Sequence, residues 1–167
     1  MFELLGLKVR SLNEDDSGEI DSLLVRCADF IRLSEGQGPS PGDGRLLLEE
    51  RPQEAPEVEK LVLGLYDGPC LIGVTDLLKD YPAEGVWYLG LMLIEPPRRR
   101  AGIGTALLAA LGDWVARQGG RMLRLGVVEQ NAAGHRFWER QGFEDIGSID
   151  QDLGHFRRTV HRMQRAL

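Results

Sequence analysis

The feature that most constrains the fold is one continuous stretch, residues 86–117, in which an apolar segment, a basic glycine loop and an apolar helix follow one another. The segment VWYLGLMLI is apolar on both faces, which is typical of a strand that has neighbours on both sides. The loop EPPRRRAGIG places three arginines, 98–100, directly before two closely spaced glycines. A helix is then predicted over 103–118, ended by two glycines. This order requires a mixed α/β fold with the apolar strand near its centre.

The rest of the chain supports the same class of fold. Its 167 residues contain no internal repeat and no clear boundary, so residues 1–167 are predicted to form a single domain. Hydrophobic periodicity and turn residues predict a largely antiparallel sheet of six to seven strands with about four helices. The predicted strands are 7–9, 60–66, 70–78, 86–94, 121–128, 143–149 and 156–164, and the predicted helices are 13–33, 45–50, 103–118 and 132–141.

Composition limits the partners and the compartment. The formal net charge of −6 argues against nucleic-acid binding. No apolar run approaches the roughly 20 residues that a membrane span needs, and the opening MFELLGLKVR does not resemble a signal peptide. Cys27 and Cys70 are the only cysteines and lack metal-ligand spacing. We therefore expect free thiols, no metal and a cytoplasmic protein.

The arginine loop has the chemistry of an anion site. The first turn of a helix leaves backbone N–H groups without partners, and its dipole makes that end partly positive. Gly102 and Gly104 would let an anion approach these amides, and arginine side chains suit phosphate oxygens. An exposed basic loop that only turns the chain is the simpler alternative. A P-loop pattern is absent, and a dinucleotide fingerprint fits poorly because Leu107 occupies its third glycine position.

Two motifs resemble those of the GNAT superfamily of N-acetyltransferases. Arg99-Arg100-Ala101-Gly102-Ile103-Gly104 matches its acyl-CoA signature [Q/R]-x-x-G-x-[G/A], and Ile94-Glu95-Pro96 precedes it as is common there. A second block, NAAGHRFWERQGF over 131–143, resembles the family's later motif N-x-x-A-x-x-[FL]-Y-x-x-x-G-F. The start of the chain also resembles the family's first strand and helix. The resemblance covers nearly the whole chain and implies the GNAT acyl-CoA N-acyltransferase fold.

The resemblance further implies acetyl-CoA as the cosubstrate and an amine as the acceptor. Free amides of the strand before the arginine loop would support charge on the thioester oxygen. Asn131 would either cap its helix or hydrogen-bond the pantetheine arm. The residues that the resemblance assigns to acetyl-CoA binding are Met92, Leu93, Ile94, Arg99, Arg100, Ala101, Gly102, Ile103, Gly104, Thr105, Asn131, Phe137 and Trp138.

Proton transfer is where the sequence departs from the family. Trp138 stands where many relatives carry the tyrosine that protonates the leaving thiolate, and an indole cannot act as an acid near neutral pH. Tyr88 matches a position where some relatives hold a glutamate base, and strand alternation would place it on one face with Met92 and Ile94. It is the predicted catalytic residue, with a buried structural tyrosine as the alternative. His135, Glu84, Asp76 and Glu129 are further base candidates that no sequence context distinguishes.

Two functions from different classes remain open on the sequence. The first is an N-acetyltransferase that transfers the acetyl group of acetyl-CoA to a primary amine by direct attack on the thioester. The second is a non-catalytic acyl-CoA-binding sensor or interaction module, which the missing tyrosine favours. A variant of the first has a longer acyl donor, because Gly90 could leave room for it. Acidic loops at 34–56 and 80–85 would suit a cationic acceptor, and the last strands would offer an interface for a homodimer.

Overall fold

One mixed sheet organises the computed structural model, which describes residues 2–153 and 156–167. The strands are β1 (Phe2–Leu4), β2 (Leu7–Ser11), β3 (Lys60–Asp67), β4 (Cys70–Leu78), β5 (Val86–Ile94), β6 (Met122–Val128), β7 (Glu144–Leu153) and β8 (Phe156–Ala166). The helices are α1 (Ser17–Arg26), α2 (Ala28–Glu35), α3 (Asp43–Glu49), α4 (Ile103–Arg117) and α5 (Ala132–Arg140).

The strands pair in the order β1-β2-β3-β4-β5-β6-β8-β7. Every neighbouring pair is antiparallel except β5 and β6, which run parallel and are joined by the crossover helix α4. A parallel pair requires such a crossover, whereas the antiparallel meander β3-β4-β5 needs only short turns. The predicted apolar strand β5 therefore lies inside the sheet, with the arginine loop at its carboxyl end.

Two apolar layers cover the two faces of the sheet. On one face α4 buries Leu107, Leu108 and Leu111 against Trp87 and other strand residues. On the opposite face α1 and α2 bury Ile20, Leu23 and Ile31 against the β3–β5 meander. A helix packed on each face explains why β5 carries large apolar side chains in both directions.

The mixed α/β class is confirmed, but the predicted numbers of strands and helices are too low. The described residues form eight strands and five helices. The sequence pattern did not predict β1, which has only three residues and pairs only with β2. This pairing depends on a tight turn at Leu5 and Gly6, whose φ angles are 53° and 77°. The predicted first helix is interrupted at Cys27, whose φ and ψ of −101° and 21° separate α1 from α2.

The flanking loops also differ from the prediction. α2 continues into the predicted loop as far as Glu35, where Gly36 ends it in the left-handed region at φ 80°. The ring of Phe156, at the start of β8, lies directly over Gly36, so even a Cβ at that position would overlap the ring. The β7–β8 hairpin is therefore packed against the end of α2.

Two composition-based expectations can be compared with the described residues. Cys27 and Cys70 are both free thiols, the first buried and the second exposed. Among the residues that the structure describes, no helix has the length and apolar character needed to cross a membrane.

Candidate active site

A gap opens between the two parallel strands at the centre of the sheet. β5 and β6 pair only from Val86↔Met122 to Leu89↔Leu125. Beyond those pairs β5 continues to Ile94 with only β4 as a neighbour, and β6 continues to Val128 with only β8. The second half of β5 and the end of β6 therefore present unpaired backbone edges towards each other within the described structure.

Alternation along β5 decides which backbone groups face this gap. The Glu95 amide donates to Ile72 O at 2.9 Å, so Leu93 and Leu91, which pair with Val74 and Asp76, point their backbone groups towards β4. Met92 and Ile94 consequently point theirs towards the gap. The expectation that Met92, Leu93 and Ile94 all offer free amides is therefore wrong for Leu93, whose amide belongs to the β4–β5 ladder.

A β-bulge at Gly90 reverses which side chains of β5 face each layer. The register with β4 shifts where Leu91 pairs with Asp76 and Leu89 pairs with Leu77, which leaves Gly90 as the extra residue. Trp87 and Leu89 therefore contact the same core layer as Met92 and Ile94. The prediction that Tyr88 shares a face with Met92 and Ile94 is wrong, because the bulge falls between them.

Tyr88 lies instead on the face of α1 and α2, in an enclosed position. Its ring packs edge-on against Tyr81 with centroids 5.9 Å apart. Its hydroxyl is 3.0 Å from the place that a Cβ on Gly126 would take. Burial raises the pKa of Tyr88, which is the opposite of what an acid for the thiolate needs. These contacts favour the structural alternative for Tyr88.

A buried carboxylate lies where β5 leaves β6. Asp76 on β4 is 8% exposed, and its Oδ2 is 2.8 Å from the place of a Cβ on Gly90. The same oxygen is 3.1 Å from Nζ of Lys60, a side chain that is itself only 4% exposed. Asp76 Oδ1 has no hydrogen-bond partner among the described residues. Burial raises the pKa of Asp76, and the Lys60 ammonium only partly opposes this.

This carboxylate was one of several equal base candidates in the sequence, and only the structure distinguishes it. The space beside Gly90 is filled by Asp76, so the room that Gly90 would have given a longer acyl donor is not there. Glu84 and Glu129 are exposed at the surface, and His135 lies on α5 in a separate cluster with Asp145 and His161. The sequence of β4 does not distinguish Asp76, because the buried partner of its carboxylate, Lys60, comes from the neighbouring strand β3.

The three arginines of the loop have different surroundings. Arg98 pairs with Asp67, and Arg99 forms a two-pronged contact with Asp29 of α2. Arg99 Nε also donates to Ile94 O at 2.7 Å, which anchors the loop to the end of β5. Arg100 is exposed and makes no ion pair or hydrogen bond within the described residues. Of the three arginines, Arg100 is therefore the one without a described partner, whereas Arg99 holds the loop in place.

The backbone at the start of α4 is open. Arg100 and Gly102 both have left-handed φ, 64° and 78°, and no side chain caps the helix. The first amide with a backbone acceptor is that of Ala106, which donates to Gly102 O at 3.0 Å. The amides of the first turn are thus unpartnered among the described residues, an arrangement that favours an anion. These amides belong to Ile103, Gly104 and Thr105. The Ile103 side chain is buried, whereas Thr105 and the preceding Ala101 are exposed.

Helix α5 closes one side of this opening. Phe137 Cζ is 3.5 Å from the place of a Cβ on Gly104, and Trp138 packs edge-on against Phe137 and Phe143 with centroids 4.9 and 5.3 Å apart. These contacts give Trp138 a packing role.

Asn131 caps α5 by accepting a hydrogen bond from the Gly134 amide at 2.9 Å. A Cβ on Gly134 would overlap the side-chain amide nitrogen of Asn131. The glycine that stands where the motif usually has alanine therefore makes room for this cap, which confirms the capping role of Asn131 and leaves a contact with the pantetheine arm as a prediction.

The comparisons with known proteins agree with this geometry. The model of the acetyltransferase (GNAT) family matches residues 28–143, more than half of the chain. The chain therefore belongs to the GNAT acetyltransferase family, as its two motifs predicted. No curated protein matches the sequence.

Solved structures of low sequence identity share the whole fold. An acetyltransferase from Thermus thermophilus superimposes with a TM-score of 0.78 at 19% identity, over 99% of this chain and 100% of that one. The Salmonella typhimurium acetyl transferase that modifies the N-terminal serine of ribosomal protein L7/L12 gives 0.80 at 18% identity, over 98% and 96%. Spermidine N-acetyltransferase from Vibrio cholerae, in complex with CoA and spermine, gives 0.71 at 18% identity, over 96% and 95%.

Proposed function

We propose that this protein transfers the acetyl group of acetyl-CoA to a primary amine, with the reaction taking place where β5 parts from β6. The observation that carries the proposal is the conjunction of an unpaired strand edge and a buried carboxylate at the residue where pairing ends. Family membership supports an acyl-transfer reaction. The donor, the acceptor and the roles of individual residues are our proposals.

Binding of acetyl-CoA is assigned to two backbone regions. The diphosphate would accept hydrogen bonds from the first-turn amides of α4, with Arg100 as the nearby cation. The amide-rich pantetheine arm would run along β5 and use the amides of Met92 and Ile94 that β6 leaves unpaired.

The side chains around these amides have supporting roles. Phe137 and Trp138 of α5 would form an apolar wall, since Phe137 packs beside Gly104 and Trp138 packs edge-on against Phe137. Arg99 acts as a positioning residue, because Asp29 and Ile94 O already occupy its guanidinium. The proposed binding surface is therefore mostly backbone, with Arg100 as its charged side chain.

Proton transfer is assigned to Asp76 in place of Tyr88. An amine attacks a thioester only in its neutral form, so a base must accept a proton from the bound ammonium. A carboxylate with a raised pKa accepts that proton more readily than an ordinary aspartate, and Asp76 Oδ1 has no described partner that competes for it. The carbonyl carbon then forms its bond to nitrogen, the nitrogen loses its second proton to water, the bond to sulfur breaks, and the sulfur leaves as a thiolate. Solvent protonates the thiolate, because the Trp138 indole cannot.

The test is a measurement of CoA thiol release from acetyl-CoA with a panel of amines. The panel contains polyamines, aminoglycosides, amino acids and peptides with free N-termini, which include the acceptor types named for the two solved relatives. We expect release with at least one class and loss of release in Asp76→Asn. Tight CoA binding without turnover on any amine would instead support the non-catalytic sensor module.

Two further proposals concern the whole chain. We propose a cytoplasmic location because both thiols are free and one of them is exposed. We also propose that a homodimer forms through the last strands, since β7 is an edge strand and Ile149 on it is 42% exposed. Sedimentation of Ile149→Lys beside the wild type tests the dimer, which the substitution should dissociate.

A further inference from the structure

Two of the chain's three histidines meet one carboxylate on the face of the sheet that α5 covers. His135 lies on α5, Asp145 on β7 and His161 on β8. Because the three residues are far apart in the chain, no local sequence motif predicts the group. Their candidate ligand atoms all lie within 4.8 Å of one another. All three side chains are partly exposed, at 25%, 39% and 31%.

The two separations from the Asp145 carboxylate oxygen are close to those between ligands of one small ion. Asp145 Oδ2 is 3.4 Å from His135 Nε2 and 3.2 Å from His161 Nδ1. A charge-assisted N–H···O contact would shorten to roughly 2.7–2.9 Å. Ligand atoms bound tetrahedrally to Zn²⁺ at about 2.0–2.2 Å are instead about 3.3 Å apart. The two distances from the carboxylate oxygen therefore leave room for a metal ion between the three side chains.

The surroundings orient the carboxylate for this purpose. Asp145 Oδ1 accepts a hydrogen bond from the Gly147 amide at 2.8 Å, which leaves Oδ2 directed at both imidazoles. A register shift in the β7–β8 pairing lies between Asp145 and Ser148, and such bulges redirect side chains. On the outer side, Glu139 Oε1 lies 3.6 Å from His135 Nδ1, where an outer-shell acceptor of a metal-bound imidazole would stand.

We propose that His135, Asp145 and His161 bind one divalent transition-metal ion of the zinc class, with water completing its coordination. Two imidazoles and one carboxylate select such ions over Mg²⁺ and Ca²⁺, which take oxygen ligands. The ion would fasten α5 to the β7–β8 hairpin. The residues of this site do not include Asp76 or the arginine loop. The metal-site proposal therefore does not depend on the proposed acetyl transfer.

The experiment is calorimetric titration of the metal-free full chain with Zn²⁺ alone, in a Cys70→Ser background that removes the exposed thiol. We expect one ion per chain, and binding weakened at least about tenfold in Asp145→Asn and in His161→Gln. Asp150→Asn is the matched control, because Asp150 lies on the same strand and pairs with Arg157 and Thr159. It should bind Zn²⁺ as the parent does.

A second measurement, the unfolding temperature with and without Zn²⁺, shows whether each variant is folded and whether it binds the ion. Zn²⁺ should raise the unfolding temperature of the parent and of Asp150→Asn, but not that of Asp145→Asn or His161→Gln. Co²⁺ in place of Zn²⁺ should give the intense visible absorption of a four- or five-coordinate site. Absence of Zn²⁺ binding by the parent overturns the proposal, and so does binding that survives both ligand substitutions or is lost equally in Asp150→Asn.

Discussion

The two halves of β5 have nearly the same composition and opposite structural roles. Val86–Leu89 is paired with β6 throughout, its last two residues are also paired with β4, and it acts as ordinary core. Gly90–Ile94 is paired only with β4, although its side chains are equally apolar. The difference arises from one extra residue at Gly90 and from the divergence of β6. A site in this fold is thus produced by leaving backbone groups without a neighbour, and the type of side chain on the strand gives little indication of it.

The largest expected effect comes from the carboxylate at the boundary between the two halves. Asp76→Asn removes the proposed base while keeping its shape, and loss of a general base costs about 10²–10⁴-fold in rate. We expect a fall of that size in kcat/KM with CoA affinity retained. Steady-state kinetics with the best amine of the panel gives the first quantity and calorimetry gives the second.

The control separates catalysis from stability. Asp76→Asn alone leaves the buried Lys60 ammonium without its partner, which costs about 3–5 kcal/mol in comparable buried pairs. The double variant Asp76→Asn/Lys60→Met removes both charges and should recover most of the free energy of unfolding. Recovery of activity together with stability would show that Asp76 is only structural.

The pH dependence follows from the same group. The base must be ionised, and burial raises the pKa of Asp76 above that of an ordinary aspartate. As pH falls through this raised pKa the carboxylate is protonated, so kcat/KM should fall there, at a pH above the usual titration range of aspartate. The Asp76→Asn variant should lack this fall of kcat/KM at low pH. If the same fall persists in the variant, it is due to another titrating group.

The arginine loop gives the next largest effect. Arg100→Gln removes the exposed cation beside the first turn of α4, and loss of one charge-assisted hydrogen bond corresponds to about tenfold in the Kd of CoA. The loss should shrink as salt increases, since the contact is exposed. Arg98→Gln is the matched control, because Arg98 is already paired with Asp67. Equal weakening by both variants would contradict the distinction drawn between them.

The smallest effect is expected for Arg99→Gln, and it should appear as a change in the free energy of unfolding. Arg99→Gln breaks the contacts with Asp29 and with Ile94 O, and we expect a loss of about 1–2 kcal/mol in the free energy of unfolding. Denaturant unfolding measures this loss, and a double-mutant cycle with Asp29→Asn isolates the part due to their pairing. A fully stable Arg99→Gln that no longer binds CoA would make Arg99 a direct ligand instead.

The sequence predicted the elements that depend on local pattern. The arginine loop, the helix after it and the family followed from Arg99–Gly104 and the later block, because glycine spacing and capping are local properties. The sequence missed what depends on a strand bulge and on contacts between elements that are distant in the chain. The bulge at Gly90 changed the face of Tyr88, the partner Lys60 distinguished Asp76, and Asp29 accounted for Arg99.

The metal-ligand group was missed for the same reason, since His135, Asp145 and His161 meet only in the folded chain. At Gly134 the structure adds a detail that the motif does not give, since the side-chain amide of Asn131 fills the space where a Cβ would lie.

Amide hydrogen exchange along β5, measured with and without CoA, tests the central claim most directly. We expect CoA to slow exchange of the Met92 and Ile94 amides, which lack partners in the described structure. We expect little change at Trp87 and Leu89, in the half of the strand that is already paired. Unchanged exchange at Met92 and Ile94 under saturating CoA would contradict the claim, because the cosubstrate would then lie elsewhere.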